Sequence, residues 1–207
     1  MEDVIEVYHR PLDVGRPVVC LDEVPVQLVE EVRAPLPARP GRRARFDYEY
    51  RRCGTANLFI AFAPLLGWRA VRVTDRRTAV DFAAFLRWVT EDCFPEAERV
   101  VLVTDNLNVH TAGSLYEAFP PPVARRLTER LEWHYTPKHG SWLNVAEAEL
   151  SALGRQCLRR RIGSADVLRR EVDEWVDDRN HREVAVNWRF TTADARIRLR
   201  RLYPSIQ

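Results

Sequence analysis

Two short aliphatic runs, "RPVVCLDE" (16–23) and "ERVVLVTDN" (98–106), constrain the fold more than anything else in the chain. Each is too short for a helix and lacks the polar alternation of a strand with one wet face. Each therefore reads as a strand buried on both sides, which needs helices above and below it. Amphipathic segments supply them. "TAVDFAAFLRWVTEDCF" (78–94) carries Val80, Ala83, Ala84, Val89 and Cys93 at helical spacing behind an N-cap at Thr78. A helix is expected from about 142 to 160, with Leu143, Ala146, Leu150, Leu153 and Cys157 spaced 3, 4, 3, 4. Another covers 164–180 behind Ser164, and "TTADARIRLRRL" (191–202) closes the chain. "ANLFIAFAPL" and "WRAVRVTD" read as strands joined by a turn near Gly67, and "LEWHYTP" (131–137) as a further strand. "RFDYEY" (45–50) reads as a half-buried strand after a loop rich in Pro, Gly and Arg. A Pro-rich bend at 120–122 leads into a short helix. The pattern predicts one α/β domain, a mixed β-sheet flanked by α-helices.

Composition excludes several alternatives. Hydrophobic residues make up 46% and charged residues 30%, enough apolar material for a core and no bias toward disorder. No apolar run approaches the roughly 20 residues of a membrane span, and the acidic, amphipathic "MEDVIEVYHR" is unlike a secretory signal. Cys20, Cys53, Cys93 and Cys157 form no CxxC pair and read as reduced core thiols, against a Cys-ligated zinc. Net charge is only +2, yet every basic residue but Lys138 is Arg. A lone ammonium beside His139 marks a place where a compact cation is wanted.

Both buried runs end in an acid, Asp22 and Asp105, whose carboxylates would project side by side if the strands are neighbours. Buried like charges repel unless a cation holds them, and a hard divalent ion with oxygen ligands is the usual solution. Glu147 and Glu149 compete for a third place. At about 100° per residue they point roughly 200° apart and flank the apolar stripe on opposite sides, so periodicity leaves the choice open.

"CLDE", "TDNLNVH", "YTPKHGSWLNVAEAELS" and "FTTADARIRLRRLYP" resemble the catalytic domain of IS630 family transposases, over about 16–204. These belong to the IS630/Tc1/mariner group of the DDE superfamily of endonucleases. The resemblance implies an RNase H-like fold. Where the family has Leu-Asn, two residues, then the catalytic Glu, this chain reads Leu143, Asn144, Val145, Ala146, Glu147. It thus implies Asp22, Asp105 and Glu147 as catalytic, metal-ligating acids for Mg²⁺ (Mn²⁺ as substitute), with two ions. It further implies DNA cleavage at transposon ends, strand transfer into TA targets, a homodimer in the synaptic complex and a place at the nucleoid of a bacterial cytoplasm. Alternatives are an RNase H-like nuclease without strand transfer and a truncated, inactive DNA-binding remnant. The chain is expected to be a single catalytic domain over 1–207. Residues 1–15 form a lead-in, and no helix-turn-helix segment of the family's kind precedes it.

Several other residues are candidates. Lys138, His139 and Trp142 would grip the DNA backbone or stack on a displaced base. Asn106, Asn108 and His110 would steer phosphate or water. Arg51 and Arg52 with Arg42, Arg43 and Arg45, and Arg159 to Arg161, would track phosphates. His9, His134 and His181 have no ligand spacing and read as structural. Glu23 and Glu149 read as supporting or surface acids.

Overall fold

The two buried runs become adjacent parallel strands. β1 (Val18–Glu31) lies beside β4 (Val100–Thr104), with Val18 opposite Val101 and Cys20 opposite Val103. β2 (Tyr50–Ala63) pairs antiparallel with β1, and β3 (Trp68–Thr74) antiparallel with β2. β5 (Leu131–Tyr135) runs parallel to β4. The computed structural model describes residues 1–107, 109–138 and 140–203, and these hold a five-stranded mixed sheet in the order β3-β2-β1-β4-β5. The β2–β3 connection turns at Gly67, with φ of 62°. A Cβ there would meet the Glu183 backbone at 2.5 Å, so both the turn and the close approach need glycine.

Side chains alternate along each strand, and each face has its own helical cover. Cys20, Ile60, Phe62 and Val103 pack under α1 (Glu2–Tyr8), α5 (Val145–Gln156), α6 (Ala165–His181) and α7 (Thr192–Arg198). Val19, Leu21, Phe59 and Leu102 pack under α2 (Ala79–Trp88), α3 (Ala112–Ala118) and α4 (Pro121–Glu129). The mixed sheet flanked by helices is therefore as the sequence predicts, and so are the caps. Thr78 opens α2 in a reciprocal capping box with Asp81, and Ser164 accepts from the Val167 amide. Among the described residues no helix is long and apolar enough to cross a membrane.

Several local expectations are corrected. β1 does not stop at its acids but runs on to Glu31, paired with β2 alone once β4 has ended, so Asp22 and Glu23 are mid-strand. "RFDYEY" is no half-buried strand: Phe46 is 70% and Tyr48 86% exposed, because no helix layer reaches it. The helix at 78–94 gives way to a π-helical turn at Val89–Cys93, where the buried Thr90 hydroxyl donates to the Leu86 carbonyl. α5 starts only at Val145, after a 3₁₀ turn at Ser141–Leu143. The N-terminal lead-in contains α1, whose Val4, Ile5 and Val7 are fully buried. Cys53 is exposed rather than a core thiol.

Candidate active site

Two residues past the paired Cys20 and Val103 come Asp22 and Asp105. Asp22 falls, by alternation, on the face that α5 covers, and Asp105 lies one residue past the end of β4. Asn144 docks α5 at this point. Its Oδ1 accepts from the Ala146 amide at 3.1 Å and its Nδ2 donates to the Leu21 carbonyl at 2.7 Å, next to Asp22. The Tyr8 hydroxyl supports the same corner, donating to the Leu143 carbonyl at 2.7 Å and accepting from the Val145 amide at 3.3 Å. Glu147 sits in the first turn of α5, where the helix dipole favours a negative charge. Replacing Asn144 by Ala removes the cap and strands the Leu21 carbonyl. We expect a loss of about 2 kcal/mol, seen as a Tm lower by roughly 4–8 °C in a thermal melt.

The acids share one electrostatic neighbourhood. Burial pushes the Asp22 carboxyl up to about 7 from its ordinary 3.8; the charges of Glu23, Asp105 and Glu147 add to this, and the Glu23 amide, donating to Asp22 Oδ1 at 2.8 Å, opposes it. Asp105 is in contact with His110 Nδ1, and His110 Nε2 lies 2.9 Å from Glu23 Oε2. His110 is 1% exposed and packs on Phe82 at 4.4 Å between ring centroids. Burial disfavours its charge, but Asp105 and Glu23 outweigh that and raise it to about 9. His110 therefore faces Asp105 and Glu23 from within the fold rather than steering a phosphate in solvent.

Among the described residues no three His, Cys, Asp or Glu side chains close around a single point at coordinating distance. The donor set nevertheless fits a hard divalent cation. It is all carboxylate oxygen, and Asp22 is raised by burial first and by the charges of Glu23, Asp105 and Glu147 second, an unfavourable charge that a cation would relieve. The same shifts set a pH dependence. Asp22 holds its proton more tightly folded than unfolded between pH 3.8 and about 7, so stability falls as pH rises through that window. His110 contributes stability below pH 6.5 that is lost as pH rises through about 9. Both effects have the same sign. Metal-free protein should melt several degrees lower at pH 9 than at pH 5.5, and added Mn²⁺ should raise Tm more at pH 8 than at pH 5.5. Differential scanning fluorimetry across pH would read this, and a flat profile would contradict it.

Glu149 is neither a surface acid nor a neighbour of this cluster. It is 3% exposed, accepts from Arg179 at 2.7 and 2.9 Å, and lies 2.9 Å from Nε of Arg69, which is fully buried. The two glutamates that periodicity left tied thus have different surroundings. Glu23, expected as a supporting or surface acid, is a buried partner of His110; its parity with Val19 and Leu21, opposite to that of Asp22, was the available signal.

The remaining candidates are more dispersed. Asn106 and Lys138 are exposed, and Trp142 is 42% exposed with one side against Trp188 and Phe190. Arg52 is exposed, and Arg51 pairs with Glu30. Glu30 lies roughly 25 Å along β1 from Asp22, so this pair sits far from the acids. Asn108 and His139 lie outside the described residues. His134 bonds Asp3 at 2.7 Å and Glu132 at 3.0 Å, and His9 bonds the Phe190 carbonyl at 3.1 Å.

The parallel pairing of β1 and β4 ends two residues before Asp22 and Asp105, and α5 carries Glu147, in an α/β domain built on a mixed sheet. Residues 17–169 match the profile of the DDE superfamily endonucleases, and the chain belongs to that family, a family of nucleases. Among solved structures, the Mos1 strand transfer complex is similar at 18% identity and TM-score 0.59, covering 87% of this chain and 54% of that one. The Mos1 mariner paired-end complex with Mn matches at 18% identity and TM-score 0.55, over 87% and 55%. The catalytic domain of Mos1 mariner transposase matches at 15% identity and TM-score 0.53, over 88% and 84%. The fold is thus the RNase H-like fold of that catalytic domain. The chain spans about half the length of the Mos1 chains in the first of these structures. No curated protein matches it.

Proposed function

We propose that the chain is the catalytic domain of a DDE transposase of the IS630 group, cutting DNA at transposon ends and joining the cut end to a TA target. The observation that carries this reading is the match of residues 17–169 to the DDE superfamily endonucleases, together with three acids from distant parts of the chain that share one electrostatic neighbourhood. Asp22 and Asp105 each lie two residues past the paired Cys20 and Val103, and the charges of Asp105 and Glu147 both act on Asp22. Asp22, Asp105 and Glu147 would hold two Mg²⁺ ions, with Mn²⁺ able to substitute. When bound, such ions activate an attacking oxygen and stabilise the leaving 3′ oxygen of a phosphodiester.

The chain's own residues prepare that site. Asn144 and Tyr8 fix the entry of α5 and so the place of Glu147. His110 orients the Asp105 carboxylate from the buried side and offsets part of the acids' charge. Lys138, His139 and Asn106 would contact the DNA backbone, Trp142 would offer its open face to a base, and Arg51 and Arg52 would lie along a flanking stretch of DNA. The working complex would be a homodimer on two transposon ends, at the nucleoid of a bacterial cell. The test is to incubate the protein with a labelled duplex carrying a free 3′-hydroxyl at a transposon end, a TA-containing target and Mn²⁺. Joined product at TA is expected. Nicked target without joining would assign a nuclease lacking strand transfer, and no metal-dependent product would assign an inactive remnant.

A further inference from the structure

Beyond Glu31 the chain leaves the sheet as an arm that nothing covers: every residue from 32 to 46 is exposed. The arm is nonetheless ordered by its own backbone. Leu36 and Arg45 exchange hydrogen bonds of 2.9 and 3.0 Å, and Arg39 and Arg42 exchange bonds of 3.0 and 2.8 Å, around a Pro40–Gly41 tip. Gly41 has φ of 75°, as the second central residue of a Pro-Gly turn requires. Arg161, just beyond α5, sets the direction in which the arm departs. It donates to the Glu49 and Asp47 carbonyls at 2.7 and 2.9 Å, pairs with Glu31, and lies over the Tyr50 ring at 5.4 Å. The helix that carries Glu147 therefore also leads into the anchor of the arm.

The arm's chemistry is lopsided. Arg33 lies 3.5 Å from Asp47, but Arg39, Arg42, Arg43 and Arg45 have no carboxylate partner among the described residues. Those four arginines, with Leu36 and Pro37, line a shallow cleft of about 180 Å³ without an acid. Guanidinium groups gathered around one cleft repel each other, and a chain of phosphates relieves that repulsion at every step. Phe46 and Tyr48 stand in solvent directly after the last of them. Arginines followed by exposed aromatic rings fit a nucleic acid, whose backbone takes the charge and whose bases take the rings. A second copy of this chain, which exposes acids such as Glu98, Glu117 and Asp173, offers charge but no bases for the rings, and its oligomeric state tests that alternative.

We infer that the arm at 32–49 is a DNA-backbone grip, projecting past the end of β4 on the side where the acids lie and holding duplex DNA that flanks them. This rests on the DNA-processing reading above and adds a surface to it. The experiment measures binding of a fluorescein-labelled duplex by anisotropy in EDTA, from 50 to 200 mM KCl. The full chain is compared with the variant Arg39→Ala/Arg42→Ala/Arg43→Ala/Arg45→Ala and with the corresponding Lys variant. The Ala variant should lower the slope of log affinity against log salt by about 3 and weaken binding at least tenfold at 100 mM, while the Lys variant keeps most of the slope. If the Ala variant fails to fold, Arg42→Glu/Arg43→Glu at the exposed tip is read by the same slope.

An unchanged slope in a folded variant overturns the inference. So does a dimer in sedimentation that becomes monomeric in the variant with its DNA slope intact, which would make the arm a contact between copies. Asp105→Asn separates the two readings. It should bind DNA with the wild-type slope, and if it also cleaves normally, the catalytic assignment fails while the arm result stands.

Discussion

Isosteric replacement of any one acid, Asp22→Asn, Asp105→Asn or Glu147→Gln, is expected to reduce metal-dependent DNA cleavage by about a hundred- to a thousandfold while leaving the fold intact. Each change removes one negative ligand from a site where charge stabilisation is the chemistry, and losing a single preorganised electrostatic group commonly costs a hundred- to a thousandfold. Asp22→Asn carries an additional signature. Its carboxyl is raised to about 7 by burial and by the neighbouring acids, so the neutral amide removes a repulsion at pH 8. That variant should melt at the same temperature as the wild type or higher at pH 8 without metal, and should lose the rise in Tm that Mn²⁺ brings. A gel assay of nicking with Mn²⁺, run beside thermal melts, reads both effects. Wild-type activity in any of the three variants would refute its assignment.

Glu149→Ala, two residues from Glu147 on the same helix, should have the opposite profile: a Tm lower by about 10 °C. Glu149 compensates both Arg69, fully buried, and Arg179, nearly so. Arg69 also donates to the Val184 carbonyl and contacts Asn180 Oδ1, so it stays in place when its carboxylate goes. Breaking a buried ion pair from one side strands a charge in low dielectric, at a cost of about 3–5 kcal/mol. Glu147→Gln should leave Tm within about 2 °C of wild type, since Glu147 is only half-buried. Thermal or urea unfolding of the two variants side by side decides the matter. Equal losses of stability would mean that the two glutamates are not divided between chemistry and structure.

The contrast shows where the sequence is legible. Strands with apolar residues on both faces, the caps at Thr78 and Ser164 and the turn at Gly67 are local signals, and each appears where the pattern puts it. The neighbouring of Asp22 and Asp105 follows from two runs of one type ending alike. Periodicity does not separate Glu147 from Glu149, and only the resemblance points to Glu147, because burial of Glu149 depends on Arg69 and Arg179, which only the folded chain brings to it. His110 was misread for the same reason: its partner Glu23 is distant in sequence, and no spacing links them. "RFDYEY" failed differently. Alternation reports that one side of a segment is apolar, not that another layer exists to cover it, and at Phe46 and Tyr48 there is none. β1 was foreshortened because its second half pairs with β2 alone and loses the doubly buried pattern.

Crystals of the protein grown with Mn²⁺ and measured at the manganese absorption edge would locate the cation by its anomalous signal. The expected result is one or two peaks within coordinating distance of Asp22, Asp105 and Glu147 together. Peaks confined to other acids, or none at millimolar Mn²⁺ in crystals where these three side chains are ordered, would mean that the acids do not form a metal site.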